Sequence, residues 1–373
     1  MVRRRHDFHR WWLPQLLLGG TVLALLAAMA VTVTGNMALR AMTVSLGFLD
    51  NTARFPIAES VMAYSPVDGF AWAFATGLGN TLLLTATIIV ASILLGIPLA
   101  LARRSGHLLA RLSAGAFVDG VRNTPLVIQL LFWYGVITVS LPSPRSAFQP
   151  LSGIFLTDRG LHVTTLGITG TALPLVVTLT IGLVATATLA WRGRLHQASI
   201  VSLGTVVVGA TLWLALDLGL RPDVPRLGRY NFVGGLTVTP ELAAVLLGSV
   251  LYASGFAAEI VRAGLAAVPA GQWDAARAMG LNDRQSLRLV IVPQALRIML
   301  PPMTNQFVSV LKNSTLALVV GYPELNSIAN TTMNHTGHAL ECMLVLVLAY
   351  LTLAGGISLA MNALDRRTAR WTR

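Results

Sequence analysis

Apolar residues occur along this chain in long blocks, and eight of the blocks approach the ~20 residues needed to cross a hydrocarbon core. They lie at roughly 13–33, 78–101, 124–141, 169–191, 199–220, 240–260, 298–320 and 340–364. Each predicts a membrane helix, so the expected fold class is an all-α integral membrane protein with about eight transmembrane helices. The stretch 169–220 is rich in Leu, Val, Thr and Ala and reads as an inserted helical hairpin. The first block follows "MVRRRHDFHRWW" and runs to about Val33 without a convincing small-residue cleavage site, which predicts a retained helix rather than a cleaved signal.

The polar segments between the blocks orient them. The N-terminal "RRRHDFHR", "ARRSGHLLAR" after the second block, "RGRLH" after the fourth, the segment 262–297 and the tail "DRRTARWTR" are all net basic and fall on one face. By the positive-inside rule that face is the cytoplasm, with both termini on it. One opposite loop, "RPDVPRLGRY" at 221–230, is also basic and stands against the rule. Loops 34–75 and 142–168 are neutral to weakly charged and suit an external face that meets a partner or a solute.

Composition narrows the function classes. Over 373 residues, 54% are hydrophobic and 11% charged, too apolar for a soluble globular chain. The net charge of +12 sits in arginine clusters at the ends of apolar runs, where it meets membrane lipid headgroups rather than nucleic acid. A single cysteine, Cys342, allows no intrachain disulfide. His335 and His338 lack further ligands at metal spacing, and no serine, histidine and acid suggest a catalytic constellation, so neither a metal site nor catalytic residues are expected.

The segment 262–297 is long for a connection in a compact membrane protein, which points to structure or function of its own. The run "QWDAARAMG" predicts a helix ending at Gly280, and Asn282 or Asp283 can cap a second helix over 284–292 that Pro293 ends. Two short helices joined at a glycine form a knob for a groove on a soluble partner. The alternative is an amphipathic element lying on headgroups through Arg277, Arg284 and Arg288.

Lys312 is the only lysine among 27 basic residues, and it lies inside the seventh apolar block. A charge there costs a few kcal/mol against lipid, so it should face protein or water. It pairs either with a carboxylate of a solute, or with an internal acid among Glu241, Glu259, Glu341 and Asp217, or it snorkels. Asn313, Ser314 and Thr315 can hydrogen-bond a solute or join helices. A nucleotide-binding loop of the Gly-Lys-Ser/Thr type is missing, because Lys312 stands between Leu311 and Asn313.

The stretch Asp274-Ala275-Ala276, Gly280, Val290 and Val292-Pro293 resembles the cytoplasmic loop of bacterial ABC-importer permeases, Glu-Ala-Ala followed by Gly and then Ile-x-Leu-Pro at the same spacing. Asp replaces Glu, and Val replaces Ile and Leu. "GLGNTLLLTATIIVASILLGIPLALAR" (77–103), "VRNTPLVIQLLFWYGVI" (121–137), "PELAAVLLGSVLYASGFAAEIVRAG" (240–264) and "LKNSTLALVVGYPEL" (311–325) are similar to polar amino-acid permeases of the histidine, glutamine and general L-amino-acid type. The first helix, its long loop and the inserted hairpin are similar to the larger permease of the general L-amino-acid systems.

The resemblance implies a type I importer core of five helices, plus an N-terminal helix and the hairpin. It implies a domain plan of 1–75 (first helix and periplasmic loop), 76–364 (permease domain with the coupling loop 262–297) and 365–373 (tail). The implied function is ATP-driven amino-acid import through the bacterial inner membrane. Implied partners are a second, unlike permease in a heterodimer, an ATPase dimer that binds the ATP and Mg, and a periplasmic amino-acid-binding protein; this chain itself binds no cofactor. Asp274, Ala275, Ala276, Gly280, Val290 and Pro293 then form the ATPase-coupling loop, and Lys312, Asn313, Ser314 and Thr315 are candidates for the solute pathway. The rival class is an ion-coupled secondary transporter, which predicts internal repeats and leaves 262–297 unexplained.

Overall fold

The computed structural model describes residues 7–39, 45–169, 173–191, 195–216 and 219–368. The arginine clusters at 3–5, Arg192 and Arg194, Arg370 and Arg373, and also Asp217, lie outside the described residues. Twelve α-helices are described: α1 (Asp7–Leu39), α2 (Phe70–Arg103), α3 (Leu108–Asn123), α4 (Leu126–Ser140), α5 (Leu173–Trp191), α6 (Leu195–Ala215), α7 (Pro240–Ala266), α8 (Ala270–Ala278), α9 (Asp283–Ser286), α10 (Val292–Asn313), α11 (Leu325–Thr336) and α12 (Ala339–Thr368).

Five of them, α1, α2, α6, α7 and α12, contain stretches long and apolar enough to cross a membrane, and α3 with α4, bent by 104°, makes a sixth candidate. Eight crossings were expected; by length and composition the described residues support five or six. The bend falls at Thr124-Pro125, where proline disfavours helical geometry in the residue before it. α10 fails the test for another reason: Gln294, Arg297, Asn305, Gln306, Lys312 and Asn313 make it a partly polar helix.

The core is the contact of α2 with α7, flanked by α3, α4 and α10, with α12 packed on α10. Small residues permit the close approach. A Cβ on Gly96 would lie 2.8 Å from the Cβ of Ala257 and 3.1 Å from backbone atoms of α7. Gly264 is as tight against α10, a Cβ there falling 2.3 Å from the Met299 Cγ. Such contacts carry helix association in a membrane, where lipid is as apolar as leucine. α5 packs on α6 as a separate hairpin.

Two faces result. At one end lie Arg103, Arg262, α8, α9 and the end of α12, whose Thr368 carbonyl accepts bonds from Arg297. At the other lie residues 45–69, α11 and a β insert between α4 and α7. The strands, unforeseen in the apolar pattern, are β1 (Phe148–Leu151), β2 (Ile154–Thr157), β3 (Gly160–Val163), β4 (Thr165–Thr169), β5 (Gly219–Asp223), β6 (Arg226–Leu227), β7 (Phe232–Val233) and β8 (Leu236–Val238). They form an antiparallel sheet in the order β1-β2-β3-β8 and two ribbons, β4-β5 and β6-β7. Each strand is too short to register as an apolar alternation, which is why the helix period dominated the sequence pattern.

Candidate functional site

The loop from Ala267 to Ile291 folds as α8, a glycine turn, α9 and one π-helical turn over Leu287–Ile291. α8 stops because Gly280 adopts a left-handed conformation, φ +79°. The Gly280 N–H donates to the Arg277 carbonyl at 2.9 Å and the Leu281 N–H to the Ala276 carbonyl at 3.1 Å, the paired bonds of a Schellman ending. α9 begins with a capping box: the Gln285 N–H donates to Asn282 Oδ1 at 2.9 Å, and the Asn282 N–H to Gln285 Oε1 at 3.0 Å.

Pro293 does not end the second helix, contrary to expectation. It stands in the first turn of α10, directly after a π-helical turn. The π turn just before it widens the spiral and accommodates the ring, so the chain runs from α9 into α10 without a break.

The knob is fastened to the bundle from beneath. Trp273 of α8 packs with Leu265 at the end of α7, Val268 just beyond it, Ile291 from the π turn, and Ala295 and Met299 from α10. Ala276 is buried, while Val290 and Pro293 are half-buried on the same side. Asp274, Ala275, Met279 and Gly280 are exposed, Met279 at 79%. Asp274 lies 3.9 Å from Arg277, which reaches Asp283 at 3.4 Å. Above the knob, Arg103 of α2 bridges Asp119 of α3 (3.3 Å) and Glu259 of α7 (3.2 Å), and Glu259 also holds Arg262 at 2.5 Å. An apolar cavity of about 440 Å³ at this level is lined by residues of α2, α7, α10 and α12.

The second group is one turn long. α10 ends at Asn313 and continues as a 3-10 segment over Ser314–Val320, closed by Gly321 at φ +86°. Ser314 is buried and donates to the Leu311 carbonyl at 2.7 Å, and Thr315 donates to the Lys312 carbonyl at 2.7 Å. These two hydroxyls thus hold the α-to-3-10 transition. Asn313 is half-buried and Lys312 is exposed.

Of the four acids proposed for Lys312, Asp217 lies outside the described residues and the other three are engaged elsewhere. Glu259 holds two arginines, Glu241 accepts from Tyr134 at 3.4 Å, and Glu341 meets His338 at 3.2 Å and the Ser45 N–H at 3.2 Å. Among the described residues no acid forms an ion pair with Lys312. Instead, Lys312 continues an exposed stripe of α10 with Asn305 and Ser309, at spacings of four and three that share one helix face.

Sequence reasoning missed the polar network that carries this turn. The buried Glu324 carboxylate caps α11, accepting the Asn326 and Ser327 N–H groups at 2.9 and 2.7 Å and the Tyr350 hydroxyl at 2.8 Å. Thr81 of α2 accepts the Leu325 N–H at 3.0 Å. Asn80 donates to the Pro323 and Glu59 carbonyls, both at 2.8 Å, and accepts the Val61 N–H at 3.0 Å. The available signal was an asparagine inside the apolar run "GLGNTLLL", where an unpaired amide would be costly. Glu59 accepts the Thr239 N–H at 3.0 Å, and desolvation by burial raises its pKa despite that bond. His338 and His335 lie beside Phe48 and Phe55, and no metal-binding cluster occurs among the described residues.

The sequence signature of the family described as "binding-protein-dependent transport system inner membrane component" matches residues 92–370. YhdX of Escherichia coli (strain K12), which bears the name of an amino-acid ABC transporter permease protein, is 36% identical over 96% of this chain and 94% of its own. The general L-amino acid transport system permease protein AapQ of Rhizobium johnstonii is 34% identical over 90% and 86%. The glutamate/glutamine/aspartate/asparagine transport system permease protein BztB of Rhodobacter capsulatus is 29% identical over 89% and 87%. A crystal structure of an amino acid ABC transporter with histidines aligns over 80% of this chain and 95% of its own, at 21% identity and a TM-score of 0.47.

Proposed function

Because the chain belongs to the family of binding-protein-dependent transport system inner membrane components, we propose a division of labour for it within an ATP-binding-cassette amino-acid importer. The chain is the permease, a multi-pass membrane protein that is not itself an enzyme; ATP is hydrolysed on a partner subunit. The knob face is cytoplasmic, with both termini on it, and the β insert is periplasmic. A second permease pairs with this one, an ATPase dimer with its ATP and Mg meets the knob, and a periplasmic binding protein delivers solute.

The observation that carries this reading is the knob's construction. Its outer residues Asp274, Ala275 and Met279 are exposed, while Ala276 is buried and Trp273 packs against residues from the ends of both α7 and α10. A push on the outer surface is therefore transmitted to two membrane helices at once. The tight contact of Gly264 with Met299 keeps those helices in step near the knob. Tilting them alternates access to a path between the paired permeases.

The exposed stripe Asn305, Ser309 and Lys312 supports a polar path on α10. Against lipid, the ammonium alone would cost a few kcal/mol. Facing the second permease and the solute, it pairs with the carboxylate of a passing amino acid. Asn313 joins it, while Ser314 and Thr315 shape the turn with hydroxyls already donated to backbone.

The test is reconstitution of this chain with its permease, ATPase and binding-protein partners in proteoliposomes, with uptake of labelled amino acids measured beside Lys312→Ala. Uptake that requires ATP is expected, and a Lys312→Ala complex that assembles and hydrolyses ATP but carries at least about tenfold less solute. Loss of assembly in the variant would return Lys312 to a structural role. Uptake driven by an ion gradient without the ATPase would overturn the importer reading.

A further inference from the structure

The β insert carries a charge pattern that membrane topology disfavours. Residues 142–169 and 219–239 contain five arginines, Arg145, Arg159, Arg221, Arg226 and Arg229, all exposed, and none is in an ion pair among the described residues. The same segments hold two acids. Asp158 is half-buried, and Asp223 accepts the Gly235 N–H at 2.9 Å. Arginine in short segments on the far side of the membrane works against the orientation of the neighbouring helices, so five unneutralised arginines there require another use.

The arginines stand on a built support. Phe155 stacks on Phe232 at 4.6 Å and His162 lies 4.9 Å from the same ring. His162 Nδ1 is 3.0 Å from the Thr237 hydroxyl, joining β3 to β8, and burial lowers the pKa of this imidazole. Around that core the surface is mixed: Tyr230 is 67% exposed with the Arg229 guanidinium 5.2 Å over its ring, and Val233 is 70% exposed. Exposed arginine beside tyrosine and aliphatic side chains is the composition of protein contact surfaces.

Its location selects the occupant. β8 leads directly into α7, whose cap Thr239 is bound to Glu59 and which packs against the 3-10 segment Ser314–Val320, a Cβ placed on Gly321 falling 4.0 Å from Glu241 Cγ. The insert thus stands beside the external ends of α7 and of the segment that follows Lys312. We infer that the arginine-bearing β insert is a docking platform for an acidic face of the soluble binding protein, which it steers toward that mouth. This rests on the reading that such a protein delivers the solute.

The test uses the assembled complex in nanodiscs of zwitterionic lipid and, as probe, the purified amino-acid-binding protein that stimulates its ATP hydrolysis. Association rates are measured from about 50 to about 500 mM salt, for wild type and R221E/R226E/R229E. The expected result is an association rate at least about tenfold lower for the variant at low salt, converging on wild type at high salt. R226Q/R229Q, which removes charge without reversing it, should fall between them and serves if the triple variant does not co-purify with its partners.

Equal rates and equal salt slopes would overturn the platform. Equal rates with loss of thermal stabilisation by phosphatidylglycerol would overturn it in favour of a headgroup contact. A wild-type complex that imports amino acids with ATP yet binds no soluble protein would instead overturn the delivery reading, and the platform with it.

Discussion

The loop 270–291 and the turn 312–324 both pivot on a left-handed glycine, Gly280 at φ +79° and Gly321 at φ +86°, but they are held in opposite ways. The first is closed almost entirely by its own residues, through the Schellman bonds at Gly280 and the capping box of Asn282 and Gln285. The second is held from far along the chain, by Asn80 and Thr81 of α2 and Tyr350 of α12. A locally closed element can expose its outer side chains without weakening the chain, which leaves them available to a partner. A turn tied across the bundle has its buried polar groups engaged inside, which leaves the exposed Lys312 and the half-buried Asn313 toward the outside.

The largest expected effect therefore belongs to the internal network. Glu324→Ala would leave two backbone N–H groups and the Tyr350 hydroxyl without their acceptor in a buried site. We expect a loss of about 3–5 kcal/mol, read as a marked fall in the thermal midpoint of the purified chain. Glu324→Gln keeps an oxygen to accept with and should lose less. A stable Glu324→Ala chain would remove the distinction between the two regions.

Next in size is Gly280→Val. A β-branched residue at φ +79° costs about 1–2 kcal/mol, and the rest of the knob has local bonds to absorb it. The chain should fold, with a modest drop in midpoint, while the angle between α8 and α9 shifts and fewer amino acids are carried per ATP. The ratio of uptake to ATP hydrolysis in proteoliposomes measures this directly. An unchanged ratio would mean that the angle is not what the partner reads.

The same contrast explains what was legible in the sequence. The knob's ending at Gly280 and its cap at Asn282 are local chemistry, visible as residue types at fixed offsets. Pro293 was misread because a π turn ahead of it, invisible in any pattern of residue types, lets the helix continue. Lys312 stood out by composition alone, yet its having no acid partner among the described residues depends on where Glu241, Glu259 and Glu341 find other partners. The Asn80 and Glu324 network joins residues separated by more than 200 positions, and no local rule connects them. The β insert escaped notice because its strands run for two to five residues between much longer apolar blocks.

The smallest effect on stability is expected at Asp274, and it sharpens the comparison most. Its side chain is 75% exposed, and its contact with Arg277 at 3.9 Å competes with the nearer Asp283 at 3.4 Å. A surface pair of this kind is worth under about 1 kcal/mol, and alanine is the better helix former at an interior position of α8. Asp274→Ala should therefore leave the thermal midpoint of the isolated chain where it is, within about 0.5 kcal/mol. Any fall in amino acids carried per ATP must then come from a contact outside the chain, and Asp274→Glu, the residue usual in the resembling loops, should match or exceed wild type. If Asp274→Ala instead destabilises the isolated chain by more than about 1 kcal/mol, the exposed face of the knob is holding the knob together. Its side chains would then not be free for the ATPase, and the knob would belong with the turn at Gly321 rather than opposite it.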